Sequence, residues 1–198
     1  STSYLDVKDA RNSSTTPIDC STVCFDRGNN TNWVFIPTVF GAGSSTLASH
    51  TGGQVTDAFD SPSATNESLF AFRLTSETGD STVEMVRLRL SGVAKIESNT
   101  FSNVRLVIDR NSNLQYDGGD TVVDTMGDVF IEDTIGDLVL AQPFVSSTSL
   151  DYLVIADWSS LQNGSFVNLS LERTDLNIED LSGKHSITGS VASVQHSR

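Results

Sequence analysis

The sequence is poor in cationic residues. It contains 12 Lys and Arg against 25 Asp and Glu, which gives a formal net charge of −13. Because binding to a phosphate backbone requires neutralising cations, this balance argues against nucleic acid as a partner. It favours a solvated exterior that attracts cations, although acidity that serves only solubility would give the same composition. The sequence also lacks an apolar run of 18 residues, so we expect no membrane span.

Residues and motifs for covalent or transition-metal catalysis are equally scarce. There are 3 His and 2 Cys in 198 residues. No nucleophile-elbow, zinc-protease, Walker or dinucleotide-binding motif occurs. We therefore expect no enzymatic activity. Hydrolysis of glycosides by paired carboxylates stays open, because 25 acidic residues offer many pairs.

The two cysteines, Cys20 and Cys24, stand four positions apart. They can form a disulfide only if the segment between them turns, and so small a loop contributes about 2 kcal/mol. Zinc binding and redox chemistry are disfavoured, since no histidine is near and the redox C-x-x-C spacing is absent. The predicted disulfide implies a secreted, extracellular protein. The start at Ser1, without an initiator Met or a signal peptide, agrees with a processed secreted chain.

The first 54 residues form a less regular extension, which is predicted to contribute strands to its own or a neighbouring sandwich. Short strands are predicted at Tyr4–Lys8 and Trp33–Phe40. Residues 41–53 are predicted to form a flexible loop, because they combine Gly with Ser and Thr. His50 lies alone in this loop and is expected to be solvated.

From residue 55 to residue 198 the sequence predicts an all-β domain. Short apolar runs with strand alternation follow one another, separated by turns, and no helical period of ten residues appears. This pattern predicts a β-sandwich, Ig-like or jelly-roll-like, in preference to a barrel. The predicted strands are Gln54–Phe59, Leu69–Thr75, Thr82–Leu90, Val93–Glu97, Phe101–Ile108, Thr121–Asp124, Val129–Glu132, Leu138–Gln142, Leu150–Asp157, Ser165–Glu172, Asp175–Asp180 and Ser186–Val194.

Two of these runs carry finer signals. In Thr82–Leu90 the apolar alternation slips by one residue, which predicts a β-bulge near Val86. Tyr152–Ala156 is apolar on both faces and is predicted to be a central strand.

The clearest functional motif is the twelve-residue stretch Asp109–Asp120. Oxygen-bearing side chains fall at its positions one, three, five, nine and twelve, and position seven would offer a backbone carbonyl. Ca²⁺ takes six to eight oxygen ligands at about 2.3–2.6 Å, and this spacing wraps them around one point. The sequence therefore predicts a calcium loop whose ligands are Asp109, Asn111, Asn113, Gln115, Asp117 and Asp120.

The flanks of this loop distinguish it from a calcium sensor. Phe101–Ile108 before it and Thr121–Asp124 after it are rich in β-branched residues, so two strands and not two helices hold the loop. Position six is Leu114, where an EF-hand has Gly, and position twelve is Asp where an EF-hand has Glu. An acidic surface turn without metal is the alternative interpretation.

A short internal repeat follows the loop: Asp124–Asp128 has the same pattern as Asp133–Asp137. Two β-turns explain it most simply, since Asp and Gly occupy the positions that turns require. A possible second cation site at Asp124 and Asp128 is the alternative.

The order of these motifs resembles a bacterial extracellular β-sandwich module of the kind found in surface, adhesin-like and S-layer-like proteins. The resemblance covers roughly residues 55–195, diffusely except at Asp109–Asp120. It implies a structural, non-catalytic role with bound calcium. Where such modules usually have Gly, this chain has Leu114, which leaves the backbone path there open.

Two functions follow as hypotheses. The first is the self-assembling subunit of a surface filament, pilus or layer, a homopolymer formed when the N-terminal segment adds a strand to a neighbour. The second is an adhesive or carbohydrate-binding module, which requires exposed aromatic side chains. Glycans attached to the chain are also possible, at the sequons Asn12, Asn29, Asn66, Asn163 and Asn168.

Overall fold

The computed structural model of the chain describes residues 43–77, 80–146, 148–179 and 185–198, and in the first 42 residues only 5–7, 9, 11–14, 18–19, 24–26, 31 and 33–34. The chain divides into two units, Ser1–Phe40 and Gly41–Arg198. The boundary lies at residue 40 and not at residue 54, because Gly43–Ala48 is already a strand of the larger unit.

The described residues of the N-terminal unit include the short strands β1 (Leu5–Val7), β2 (Ile18–Asp19), β3 (Cys24–Asp26) and β4 (Trp33–Val34). β1 pairs with β3 and β2 pairs with β4, both in parallel. The strand predicted at Tyr4–Lys8 is thus present at Leu5–Val7, with a partner in the same unit, and Tyr4 and Lys8 lie outside the described residues. Cys20 and the side chain of Cys24 lie outside the described residues, and so does the predicted disulfide. Residues 35–40 of the predicted Trp33–Phe40 strand lie outside them as well.

The larger unit is all-β, as predicted. Its strands are β5 (Gly43–Ala48), β6 (Ala64–Ser76), β7 (Ser81–Ala94), β8 (Phe101–Ile108), β9 (Thr121–Glu132), β10 (Ile135–Leu140), β11 (Phe144–Ser146), β12 (Ser149–Trp158), β13 (Phe166–Ser170), β14 (Leu176–Glu179), β15 (His185–Gly189) and β16 (Val194–Ser197). Two 3-10 helices, Ser98–Thr100 and Arg173–Asp175, connect strands. No helix among the described residues is long and apolar enough to cross a membrane.

The strands of this unit form two layers joined by β9. The first layer contains β15, β5, β6, β12 and β8, and the second contains β10, β7, β13, β16, β11 and β14. The hydrogen-bonded order is β15-β5-β6-β12-β8-β9-β10-β7-β13-β16, with β11 and β14 also pairing with β7. The first part of β9 pairs with β8, and residues 128–132 pair with β10, so this long strand passes from one layer to the other. The layers pack face to face: the ring of Phe144 on β11 lies 5.5 Å from that of Tyr152 on β12. The predicted β-sandwich is confirmed.

β12 is the central strand of the first layer, as its apolar sequence predicted. It pairs with β6 on one side and β8 on the other, and residues 151–156 are all buried. The ring of Tyr152 stacks on Phe72 of β6, with centroids 5.2 Å apart. Each such side chain contributes about 1.5–3 kcal/mol through its removal from water.

The β-bulge predicted near Val86 is present in β7. Buried positions change phase between Val83 and Val86, and the pairing with β14 skips Glu84. The extra residue keeps apolar side chains pointing into the core on both sides of the slip.

Two predictions in residues 41–59 are wrong. The flexible loop predicted for residues 41–53 contains β5, because the backbone of this segment pairs with β6 on one side and with β15 on the other. The strand predicted at Gln54–Phe59 is absent, and residues 53–58 are irregular. The Gln54 side chain bonds both backbone groups of Ala71 on β6, accepting at 2.7 Å and donating at 3.1 Å. A side chain thus takes the place that a paired backbone would have.

Candidate metal centre

The predicted calcium loop joins β8 to β9, two antiparallel neighbours in which Ile108 lies opposite Thr121. The prediction that strands flank the loop is therefore confirmed. The loop is also anchored at its first residue, because the Asp109 N–H donates to the Asp151 carbonyl on β12 at 2.9 Å. Its position is fixed by three adjacent strands of the first layer.

The first half of the loop curls around its own side chains. The Asp109 carboxylate is buried and accepts from Asn113 N–H at Oδ1 (3.3 Å) and from Leu114 N–H at Oδ2 (2.9 Å). Asn111 Oδ1 also accepts from Asn113 N–H, and Asn113 Oδ1 accepts from Gln115 N–H at 2.8 Å. These bonds are local Asp and Asn turns, which draw the side chains at positions one, three and five to the inside of the curve.

Leu114 adopts the backbone conformation that glycine normally supplies at this position. Its φ is +66°, in the left-handed region, and the φ of Ser112 is +56°. A residue with a Cβ pays about 1–2 kcal/mol for that conformation. The Leu114 side chain packs against the hydrophobic core, which offsets this cost. The backbone path thus agrees with a calcium loop although the residue differs.

The second half of the loop is organised by two carboxylates. Asp117 Oδ2 accepts from the side-chain amides of Asn111 (2.9 Å) and Asn113 (3.1 Å), and Oδ1 accepts from Gly119 N–H. These bonds, that from Gly119 first, lower the pKa of Asp117. Asp120 accepts from Arg110 N–H at 3.1 Å and from Asp117 N–H at 2.8 Å, which closes the loop.

The donor set suits a hard cation: three carboxylates and two amide oxygens belong to one hydrogen-bonded loop, and the Gln115 side chain is exposed beside them. In the described part of the chain, however, no three His, Cys, Asp or Glu side chains lie close enough together to hold a metal ion. The carboxylates of the loop are instead bonded to its own amides. The residues therefore fit calcium by chemistry and backbone path, and the ligand set stays a prediction.

A buried histidine lies directly beneath the loop. His50 is 3% exposed, so the expectation that it is solvated is wrong. Its Nε2 lies 3.1 Å from Asp109 Oδ2, and both side chains are fully buried. The angles of this contact do not make a hydrogen bond, and Nε2 has no other partner in the part of the chain that the structure describes. A buried polar atom thus points at the first residue of the predicted calcium loop.

Residues 50–52 together lie under the loop, and we call them its floor. Thr51 N–H donates to Asp151 Oδ1 at 3.0 Å, and the Ser112 hydroxyl of the loop donates to Asp151 Oδ2 at 2.7 Å. Burial would raise the pKa of Asp151, but bonds from Thr51 and Ser112 outweigh it and lower the pKa. At Gly52 an added Cβ would lie 2.8 Å from the Ser112 carbonyl oxygen. Residues 50–52 therefore pack against the loop backbone without space between them.

Sequence reasoning missed this floor because no local pattern marks it. His50 lies 59 positions before Asp109, and the order β5-β6-β12-β8 brings them together. The one available signal was Gly52-Gly53 directly after a strand-like alternation, which permits a close backbone approach.

The segment Asp124–Asp128, predicted to be either a β-turn or a second cation site, is not a turn. Asp124 and Asp128 lie on the continuous strand β9, where Asp124 is buried and Asp128 is exposed. Asp124 accepts from Met126 N–H at 2.7 Å and from Gln142 N–H at 2.8 Å. The two-turn interpretation is wrong for this copy of the repeat, since strand pairing with β8 and β10 dominates.

An open cleft of about 720 Å³ adjoins the loop. Residues 113–116 form one wall, and residues 55–58, 60–61 and 64–68 form the rest. Tyr116, on the loop wall, is half-buried with the Arg105 guanidinium 5.2 Å from its ring centre. Trp158 is buried against Phe59, with centroids 5.3 Å apart. These two aromatic side chains are therefore poor platforms for stacking on sugars, and the side chain of Trp33 lies outside the described residues.

Exposed large apolar side chains lie on β9, β10 and β11. They are Met126, Phe130, Ile135 and Val145, between 57% and 72% exposed. On the β9–β10 hairpin, Phe130 lies opposite Asp137 and Ile135 lies opposite Glu132. This register places Phe130 and Ile135 on one outward face, two residues apart along the hairpin.

Comparison with known proteins adds little to this geometry. No protein-family model and no curated protein matches the chain. The chain is similar to one chain of the CaDoc0917–CaCohA2 complex crystallised at pH 5.5, with 11% identity, a TM-score of 0.25, and coverage of 78% of this chain and 99% of that one. It is also similar to a type III cohesin module from the cellulosomal ScaE cell-surface anchoring scaffoldin of Ruminococcus flavefaciens, with 14% identity, a TM-score of 0.23, and coverage of 92% and 99%. TM-scores this low carry no argument about function.

Proposed function

We propose that this chain is a non-catalytic, calcium-stabilised β-sandwich module of an extracellular, cell-surface protein. The observation that carries the proposal is the loop between β8 and β9. Its predicted ligands at positions one, three, five, nine and twelve form one hydrogen-bonded unit, and Leu114 follows the left-handed path of a position-six glycine.

The ligands would be the side chains of the loop's Asp and Asn residues together with the Gln115 carbonyl. Bound calcium would supply two positive charges to a segment that carries three carboxylates. The side chains of Asn111 and Asn113 would turn their oxygens to the ion, since their amide groups now donate to Asp117. Asp109 would stay in place, because it is buried and bonded to two backbone N–H groups.

The loop would act as a staple between strands. Both of its ends are held by strand pairing, and Asp109 N–H is bonded to β12, so the loop connects strands that are paired with each other. A calcium ion that binds only the folded chain adds stability as its concentration exceeds the dissociation constant. For a Kd of about 0.1–1 mM, typical of extracellular modules, 10 mM calcium adds about 1.4–2.7 kcal/mol.

Two buried titratable side chains, His196 and Asp175, make structural contacts, which supports a non-catalytic role for them. His196 accepts from Ala58 N–H at Nδ1, and its Nε2 lies 2.8 Å from the Leu69 carbonyl. Asp175 is fully buried between Arg87 and Arg89, at 2.6 and 2.8 Å. These groups are engaged with the protein itself.

Two exposed aspartates offer a matched test. Asp117→Asn removes a loop carboxylate, and Asp80→Asn removes an exposed carboxylate directly before β7, with the same change in charge. Wild type and Asp80→Asn should melt about 3–11 °C higher in 10 mM calcium than in chelator. Asp117→Asn should lose most of that increase. Equal increases in all three proteins would show that calcium acts elsewhere, and no increase in wild type would refute the proposal.

A second candidate role is assembly with copies of itself or adhesion to another protein. It is favoured by the exposed apolar face at Phe130 and Ile135, since soluble monomers rarely leave neighbouring large apolar side chains outward. Strand addition by Leu5–Val7 has less support, because β1 already pairs with β3 on one edge. Negative-stain microscopy and size-exclusion chromatography of the Phe130→Ser/Ile135→Ser variant test this role. Assemblies that persist in the variant would refute a contribution from this face.

A further inference from the structure

We propose that His50 is a positioning residue for calcium: its Nε2, which lies 3.1 Å from Asp109 Oδ2, donates to that oxygen in the calcium-bound loop, so that Oδ1 is directed to the ion. The proposal rests on the calcium-binding function proposed above. It assigns a role to a residue 59 positions away from the motif. It also identifies which Asp109 oxygen binds.

The hydrogen bonds of the imidazole define which nitrogen can donate. Gly52 N–H donates to His50 Nδ1 at 3.0 Å, so the lone pair of Nδ1 is already used. In the neutral ring the proton is then on Nε2. Nε2 lies 3.1 Å from Asp109 Oδ2 and has no other partner among the described residues. The carboxylate is therefore the acceptor that lies beside this buried nitrogen, at a distance that permits a hydrogen bond and an angle that does not yet make one.

The two oxygens of Asp109 are not equivalent in this arrangement. Oδ2 accepts from Leu114 N–H at 2.9 Å and faces His50. From the described residues, Oδ1 accepts the longer bond from Asn113 N–H alone, at 3.3 Å, and Asn113 N–H is shared with the side chain of Asn111. Oδ2 is thus bonded to Leu114 N–H and lies beside the imidazole, and Oδ1, with the longer bond, is the oxygen left for a cation. Partners of this kind, bonded to a metal ligand, typically change metal affinity 10–100-fold when mutated.

The segment that carries His50 is itself rigidly placed. Thr51 N–H and the Ser112 hydroxyl bond the two oxygens of Asp151 on β12. Gly52 packs against the Ser112 carbonyl, because an added Cβ would lie only 2.8 Å from that oxygen. The imidazole therefore lacks freedom to follow a misplaced Asp109, and it can impose an orientation on the carboxylate.

A conservative pair of variants separates positioning from filling of the core. In His50→Asn the amide oxygen can still accept from Gly52 N–H, as Nδ1 does, but the donor toward Asp109 is lost. In His50→Gln the terminal amide nitrogen can reach the place of Nε2 and restore that donor. His196→Asn is the matched control: His196 is also fully buried, keeps an acceptor for Ala58 N–H, and loses its contact with the Leu69 carbonyl.

The experiment is a calcium chloride titration followed by NMR through the amide signals of Asn113 and Leu114. We expect the Kd of His50→Asn to rise 10–100-fold. The Kd of His50→Gln and of His196→Asn should stay within about threefold of wild type, whatever their melting temperatures. An unchanged Kd in His50→Asn, or an equal rise in His196→Asn, would overturn the positioning role alone. A wild-type chain that binds no calcium would refute the proposed function as well.

Discussion

Replacing Gly52 by alanine tests the packing between the floor and the loop. The backbone of Gly52 does not have positive φ, so alanine suits its conformation. The new Cβ would lie 2.8 Å from the Ser112 carbonyl oxygen, 3.1 Å from Leu114 Cγ and 3.3 Å from His50 Nδ1. Real Cβ atoms do not approach backbone oxygens so closely, so either the floor or the loop must move.

The size of the effect follows from that contact. Overpacking of this kind typically costs about 1–3 kcal/mol. For a protein of this size each kcal/mol lowers the melting temperature by about 2–4 °C, so we expect a decrease of about 2–12 °C. Circular dichroism melting in chelator measures it without a contribution from calcium.

Gly118→Ala is the matched control within the loop. Its Cβ would have nothing within 4 Å. We expect this variant to stay within about 0.5 kcal/mol of wild type. If Gly52→Ala has the same melting temperature as Gly118→Ala and wild type, residues 50–52 do not pack under the loop as described.

Three further predictions concern the sandwich. Asp175→Ala should cost about 1.5–3 kcal/mol in urea denaturation, because the bonds to two arginines are lost while those partly exposed cations regain water; a loss under about 0.5 kcal/mol would contradict this. Gly136→Ala should cost about 3 kcal/mol or more, since its Cβ would lie 2.2 Å from the Phe130 carbonyl oxygen; an unchanged urea midpoint would show that the β9–β10 hairpin accommodates it. Burial would raise the pKa of Asp175, but bonds from Arg89 and Arg87 outweigh it and lower the pKa. That stabilisation is present above the unfolded pKa of about 3.9 and is lost as pH falls through the folded value. The urea concentration at the unfolding midpoint should therefore decrease as the pH is lowered below about 4, and it should decrease less steeply in Asp175→Asn.

Much of the sandwich was predictable because its signals are local. Tyr152–Ala156 is apolar on both faces, which only a central strand requires, and the slip of alternation in β7 marks its bulge. β5 was missed because it has few apolar residues. Its backbone pairing with β6 and β15 stabilises a strand that the propensities of its residues do not predict. The strand expected at Gln54–Phe59 failed because a glutamine side chain completes the edge of β6.

The candidate site also has a part that the sequence could predict and a part that it could not. The loop ligands could be read from spacing, since Asp109–Asp120 is one continuous segment. Its floor could not, because His50 and Asp151 reach Asp109 only through the order of strands in the first layer. Leu114 was read as a departure, but its φ of +66° shows that the backbone conformation was kept without glycine.

The most direct test of the calcium loop is isothermal titration of the wild-type chain with calcium chloride, beside Asp109→Ala. We predict one calcium ion per chain, with a Kd of about 0.1–1 mM, and no binding to a folded Asp109→Ala variant. Folding of the variant is checked by circular dichroism at the same temperature. Absence of heat in the wild type at millimolar protein, or unchanged binding in the variant, would contradict the assignment of Asp109–Asp120 as a metal site.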